Sequence, residues 1–262
     1  MTKAFFFLFK IEFFRIWTIS RIIILGLMFV LGIGLAFLIN SSGLIDAKTD
    51  SYFSEFSYSS ILPYFFTFII PVVAFFFSAG IISYDINNHW LSSILSRSVT
   101  KTDFFASKVL SVTLSLLFFM IIPVLIPLLI FDFISNVTLK VDFLAIFYSI
   151  FAYLLEGMLF IVIASFFSTF LSNFKNAFLL GIWILADYLQ RQIIPTVYWD
   201  NHFILILSDF FFPNGFSESV KTISSTGKLN YESILWGISA ISAFISLSIY
   251  RLNKIKIDKS SE

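Results

Sequence analysis

No cysteine occurs among the 262 residues, so disulfides, thiolate nucleophiles and cysteine-ligated metals are excluded. Histidine is nearly absent as well. His89 and His202 are the two in the chain, no H-E-x-x-H run occurs, and the distribution of basic residues puts them on opposite sides of a membrane, where they cannot share a metal. Charge is scarce: 13% of the residues are Asp, Glu, Lys or Arg, against about 25% in an ordinary soluble domain. The net charge of +1 leaves no footprint for nucleic acid. No G-x-x-x-x-G-K-[ST] loop is present, and the one Gly-Lys pair, Gly227–Lys228, lacks the preceding glycine. The chain therefore cannot hold ATP in the P-loop manner. A G-x-S-x-G nucleophile elbow is missing too, which removes the main route to serine hydrolase chemistry.

What fills the chain is apolar. Hydrophobic residues make up 58% and aromatics 20%, with 37 Phe, and the mean hydropathy is +0.94. This composition specifies an all-α, polytopic membrane protein, because only helices or closed barrels satisfy the backbone inside lipid. We see no soluble domain and no strong internal repeat.

Residues 1–21, MTKAFFFLFKIEFFRIWTISR, mix aromatics with Lys3, Lys10, Glu12, Arg15 and Arg21. The stretch is too long and too aromatic for a signal peptide. Phe5, Phe9, Phe13 and Ile16 share a helical face while Phe7, Ile11 and Phe14 fall among the charges, which reads as a helix lying in the membrane interface. Six spans come after it, over about 22–39, 60–83, 107–131, 143–170, 177–194 and 233–250, each long enough to cross roughly 30 Å at 1.5 Å per residue. Pro71 is expected to kink the second, Pro123 and Pro127 to bend the outer half of the third, and Pro195 to close the fifth. Residues 40–58 and 132–142 read as external loops. Within 196–230, the runs Phe203–Leu207 and Phe210–Pro213 are apolar but too short to cross, so they read as re-entrant or interfacial pieces.

Orientation comes from the basic residues. Lys3, Lys10, Arg15, Arg21, Arg97, Lys101, Lys108, Lys175, Arg251, Lys254, Lys256 and Lys259 fall on one side, twelve in all, against Lys48, Lys140, Arg191, Lys221 and Lys228, five in all. That bias places both termini in the cytoplasm and requires an even number of spans.

Three places carry polar groups that need a reason. Between the second and third spans, Gly80 to Lys108 reads GIISYDINNHWLSSILSRSVTKTDFFASK. Trp90, Leu91, Ile94 and Leu95 share one face of a short helix there, flanked by Asp85, Arg97 and Lys101. The pattern alone fits a docking helix or an ordinary loop with a helical turn. Glu156 sits mid-span beside Gly157. An ionisable group at that depth is either a polar contact in a translocation path or dimer interface, or a protonated packing residue. Asp187 and Arg191, spaced i, i+4, form either a local ion pair or part of a gate.

The Gly80–Lys108 stretch resembles the first cytoplasmic loop of ABC-2 type transporter permeases, at Asp85, Leu91, Leu95, Ser96, Arg97, Val99, Thr100, Lys101 and Lys108. It departs from the family pattern at His89 and Trp90, where Gly-Thr is usual, at Ser98 for Pro, Lys101 for Arg and Ser107 for Gly. The overall layout is similar along nearly the whole chain, so the resemblance implies a single transmembrane domain over 1–262 with an N-terminal elbow helix, a cytoplasmic coupling helix and an external element before the last span. It also implies a non-enzymatic permease subunit of an exporter in the plasma membrane, acting as a homodimer or with a paralogue. ATP and Mg would be held by a separate ABC ATPase docked on Asp85, Trp90, Leu91, Ile94, Leu95, Arg97 and Lys101. The competing readings are a stand-alone secondary transporter, which needs broken helices and coupling-ion groups at mid-membrane, and a membrane anchor or assembly factor without transport. A Walker-motif ATPase encoded beside this chain would favour the first reading over both.

Overall fold

The structure is a computed structural model that describes residues 3–19, 21–27, 29–31, 58–88, 90–95, 99–134, 143–197 and 231–255, and these are helices and turns without a strand. The elements are α1 (Lys3–Ile16), α2 (Arg21–Leu31), α3 (Tyr58–Ser78), α4 (Ser83–Asn87), α5 (Trp90–Leu95), α6 (Lys101–Ile134), α7 (Phe143–Ser168), α8 (Asn173–Val197) and α9 (Tyr231–Lys254). Among the described residues four helices are long and apolar enough to cross a membrane, and five if α1 and α2, bent by 58° at their break, count as one span. The chain is thus a multi-pass membrane protein. Within α8 the apolar part is Phe174–Ala186, because Asp187, Gln190, Arg191 and Gln192 come next. Residues 40–57 of the external loop expected at 40–58, the re-entrant pieces at 203–207 and 210–213 and the chain beyond 255 lie outside the described residues.

α7 is the axis of the bundle. It packs against α3, α6, α8 and α9. Its sequence is apolar all round, as in a core helix or a membrane span, and Ala152, Tyr153, Glu156, Gly157 and every residue from Leu159 to Ser165 are buried. Small side chains are buried on both neighbours: Ala74 on α3 and Ser111 and Ser115 on α6 are fully buried. Small residues let backbones approach where lipid supplies no hydrophobic drive for helix association. α9 instead keeps Leu235, Trp236, Ile238, Leu247 and Tyr250 exposed, a face free for lipid.

The helix boundaries differ from the sequence expectation in instructive ways. α6 starts at Lys101 rather than near 107 and runs for 34 residues, about 51 Å at 1.5 Å per residue, so one end projects beyond the apolar layer. Its start is a cap: the Asp103 N–H donates to Thr100 Oγ1 at 3.0 Å, an arrangement legible as Thr-x-x-Asp at 100–103. The helix continues through Pro123 and Pro127, where an irregular outer half was expected, and α8 continues past Pro195 to Val197. Such prolines are tolerated where neighbouring groups take over the freed carbonyls.

α1 lies along α6. Its buried stripe is Phe5, Leu8, Glu12 and Ile16, while Phe9 and Phe13 are half-buried and stack at 6.1 Å. The inward face is therefore rotated from the expected face of Phe5, Phe9, Phe13 and Ile16, and it carries a carboxylate. At the break after α1, Trp17 Nε1 donates to Ser115 Oγ at 3.1 Å, which pins the bend to α6.

Candidate functional site

Four charged side chains meet where α1, α4 and α6 converge. Lys108 Nζ lies 3.0 Å from Glu12 Oε1. Glu12 Oε2 takes Arg15 at 2.8 Å, Arg15 donates to Asp85 Oδ1 at 2.9 Å, and Asp85 Oδ2 pairs with Lys108 Nζ. The result is a closed ring of two acids and two bases with no net charge. Lys108 is 0% exposed and Asp85 1%. Aromatic faces cover two members, with Lys108 Nζ 5.0 Å from the Phe104 ring and the Arg15 guanidinium 5.5 Å from the Tyr84 ring. Charges removed from water require pairing, and in the closed ring each has two neighbours of opposite sign.

Each member arrives there for a local reason. Glu12 lies four residues from both Leu8 and Ile16 on the inward stripe of α1, and Lys108 lies four residues from both Phe104 and Val112 on the inward stripe of α6. Asp85 is placed by the turn between α3 and α4. Gly80 has φ 74°, a conformation glycine adopts without penalty, and its carbonyl accepts the Tyr84 N–H at 3.0 Å. The first N–H groups of α4 are capped from another helix: Ser168 Oγ at the end of α7 accepts from Ile82 N at 2.9 Å and Ser83 N at 2.7 Å. Because Ser168 is fully buried, Ser168→Ala strands two donors, and we expect a loss of about 1–3 kcal/mol. That loss reads as a lower thermal midpoint in detergent, with Ser168→Thr, which keeps the hydroxyl, recovering most of it. An unchanged midpoint for the alanine variant would show that this cap does not hold the turn.

The segment after Asp85 is divided between interior and surface. Leu91 joins the core, whereas Trp90 is 60% exposed and Ile94 is half-buried. The four-residue face expected on this helix is therefore split, and Asp85, expected on its rim, points inward into the ring. Trp90, Ile94 and Val99 line one wall of a groove of about 620 Å³ whose other wall is Phe7, Leu8 and Ile11 of α1. Glu12, Arg15 and Asp85 form its polar floor. A second cavity of about 340 Å³ shares Glu12, Arg15 and Tyr84 with this groove and is also lined by Thr18, Arg21 and Phe77.

Lys101 serves a different end of the site. Its Nζ donates to the carbonyls of Leu252 at 2.9 Å, Asn253 at 3.3 Å and Ile255 at 3.0 Å. These carbonyls belong to the last turn and exit of α9, where acceptors lack partners within the helix, and a cation there also suits the negative end of the helix dipole.

Glu156 stands apart from this cluster. It is 1% exposed and lies twelve residues before Ser168 along α7, about 18 Å at 1.5 Å per residue. Asp187 and Arg191 belong to α8, but their side chains, like that of Leu95, lie outside the described residues, as does Arg97 altogether. The sequence pattern did not single out Glu12, Arg15, Lys108 or Ser168 as site residues. The available signal was a charge standing on an apolar helical stripe, at Glu12 and at Lys108. Among the described residues no group of three His, Cys, Asp or Glu side chains is placed to share a metal.

The ring, the Trp90–Val99 wall of the groove and α7 all fall within residues 8–188, the part of the chain matched by the family model described as ABC-2 family transporter protein. Comparison with curated proteins finds no match.

Proposed function

Because this chain belongs to the ABC-2 transporter family, we propose that it is the permease subunit of an ATP-driven exporter, with six spans and both termini in the cytoplasm. A separate ABC ATPase holds ATP and Mg, and a second permease copy or paralogue completes the transport path. The twelve-to-five bias of basic residues supports that orientation, in the plasma membrane with the ring on the ATPase side.

The observation that carries this reading is how α4 and α5 are held. Their inner side is fastened to α1 and α6 through Asp85 and to α7 through Ser168, while Trp90 stays exposed at the mouth of the groove. A partner that grips Trp90 and Ile94 can thus move α1, α6 and α7 together, since the link passes through buried ion pairs and hydrogen bonds instead of a loose loop. Lys101 extends the connection to α9. In this arrangement Trp90, Ile94, Leu95 and Arg97 touch the ATPase, and Asp85, Leu91 and Lys101 hold the helix that presents them. Glu156 acts in α7 packing.

Interface energy concentrates on buried aromatic anchors, and truncating one costs about 2 kcal/mol or more, a loss of at least about tenfold in affinity. We expect Trp90→Ala with Ile94→Ala to reach the membrane at normal levels but to lose co-purification of the ATPase and transport-linked ATP hydrolysis. Recovery of the ATPase at wild-type yield by this double variant would remove α5 as the docking element.

A further inference from the structure

We propose that the 340 Å³ cavity at the bend between α1 and α2 holds the phosphate headgroup of an anionic phospholipid, with Arg21 as its principal ligand. Glu12, Arg15, Thr18 and Arg21 line this cavity from α1, its break and α2, and Phe77, Gly80 and Ile81 line it from the end of α3 and the turn that follows. The charge balance is decisive. Arg15 is committed to Glu12 and Asp85, and the ring it belongs to cancels. Arg21 is half-buried, and among the described residues it has no ion pair, so these residues leave the cavity one positive charge in excess, beside a second guanidinium. A phosphodiester monoanion neutralises that charge and accepts from the Arg21 fork and the Thr18 hydroxyl, the geometry for which guanidinium is suited.

The helix surface beyond Arg21 favours a lipid over free phosphate. Ile22, Ile23, Leu27 and Val30 are all exposed along α2, and Ile16, Phe77 and Ile81 give the cavity an apolar side. A headgroup seated at Arg21 thus has apolar helix surface beside it for its acyl chains. Basic pockets between membrane helices recognise headgroups in this manner. The inference depends on the membrane character of the chain and not on the docking of an ATPase, so it is tested without one.

The full chain, purified in neutral detergent, would be titrated with phosphatidylglycerol or phosphatidylcholine, with bound lipid counted by native mass spectrometry and the thermal midpoint followed in parallel. We expect phosphatidylglycerol to be retained and to raise the midpoint, and phosphatidylcholine to do neither. Losing a charge-assisted contact weakens binding by about tenfold or more, so Arg21→Gln should lose the bound anionic lipid while keeping the lipid-free midpoint of the wild type. Arg21→Lys, which keeps the charge without the fork, should fall between them and serves if the glutamine variant is unstable. Lys10, an exposed cation on α1, is the control. Equal losses in Lys10→Gln would mean diffuse attraction to a basic surface and would overturn the site, as would unchanged retention in Arg21→Gln. Stabilisation by inorganic phosphate equal to that by the lipid would overturn the assignment to a headgroup.

Discussion

Replacing Lys108 with methionine is expected to lower stability by about 3–5 kcal/mol, the range for removing one partner from a buried ion pair. Methionine fills a similar volume, so the effect comes from charge and not from a cavity. With Lys108 gone, Glu12 and Asp85 share Arg15 alone, and one of the two carboxylates must be protonated or open to water. Arg15 cannot serve both fully, since its side chain is 38% exposed and screened by solvent, whereas Lys108 is wholly enclosed. The ring also predicts a rescue. Lys108→Met combined with Glu12→Gln removes one charge of each sign and leaves Arg15 with Asp85, so the double variant should regain much of the lost stability. A double-mutant cycle read by thermal unfolding in detergent measures this coupling. If Lys108→Met unfolds at the wild-type midpoint, or if the two substitutions add without coupling, the four groups do not act as a ring.

The second large effect is expected at Gly157. A Cβ built there would overlap Leu116 Cδ2 and stand 3.0 Å from Ile70 Cγ2, so α7 meets both α6 and α3 at this glycine. Leu116 and Ile70 are fully buried, which leaves little room for either to turn aside. Gly157→Ala should therefore destabilise by about 1–3 kcal/mol through overpacking, even though alanine is the better helix former by about 1 kcal/mol. Gly157→Leu should prevent a monodisperse, folded protein from being recovered. Shortening the opposing side chain supplies the check, because Leu116→Ala in the Gly157→Ala background should return part of the loss. Size-exclusion profiles and thermal midpoints report both outcomes. A Gly157→Ala variant more stable than the wild type would mean that the helices do not approach at this point.

Gly157 and Lys108 were both visible in the sequence, but their roles were not. Hydropathy and the scarcity of charge were sufficient for a helical membrane protein, and the pattern from Asp85 to Lys108 was sufficient to suggest the family that residues 8–188 match. These properties are additive along the chain: each span needs its own run of apolar residues, whatever surrounds it. Which face of each helix turns inward is a different kind of property. In lipid the outside of a bundle is as apolar as the inside, so the periodicity that identifies a buried face in a soluble protein is weak here. That is why the inward stripe of α1 was expected on its phenylalanines and is found to include Glu12, and why Trp90 and Leu91, adjacent and both apolar, part toward surface and core. The partner of a buried charge is less legible still. Arg15 and Asp85 are 70 positions apart, and only the packing of α1 across α6, with α4 held in place by Gly80 and Ser168, brings them within a hydrogen bond of each other.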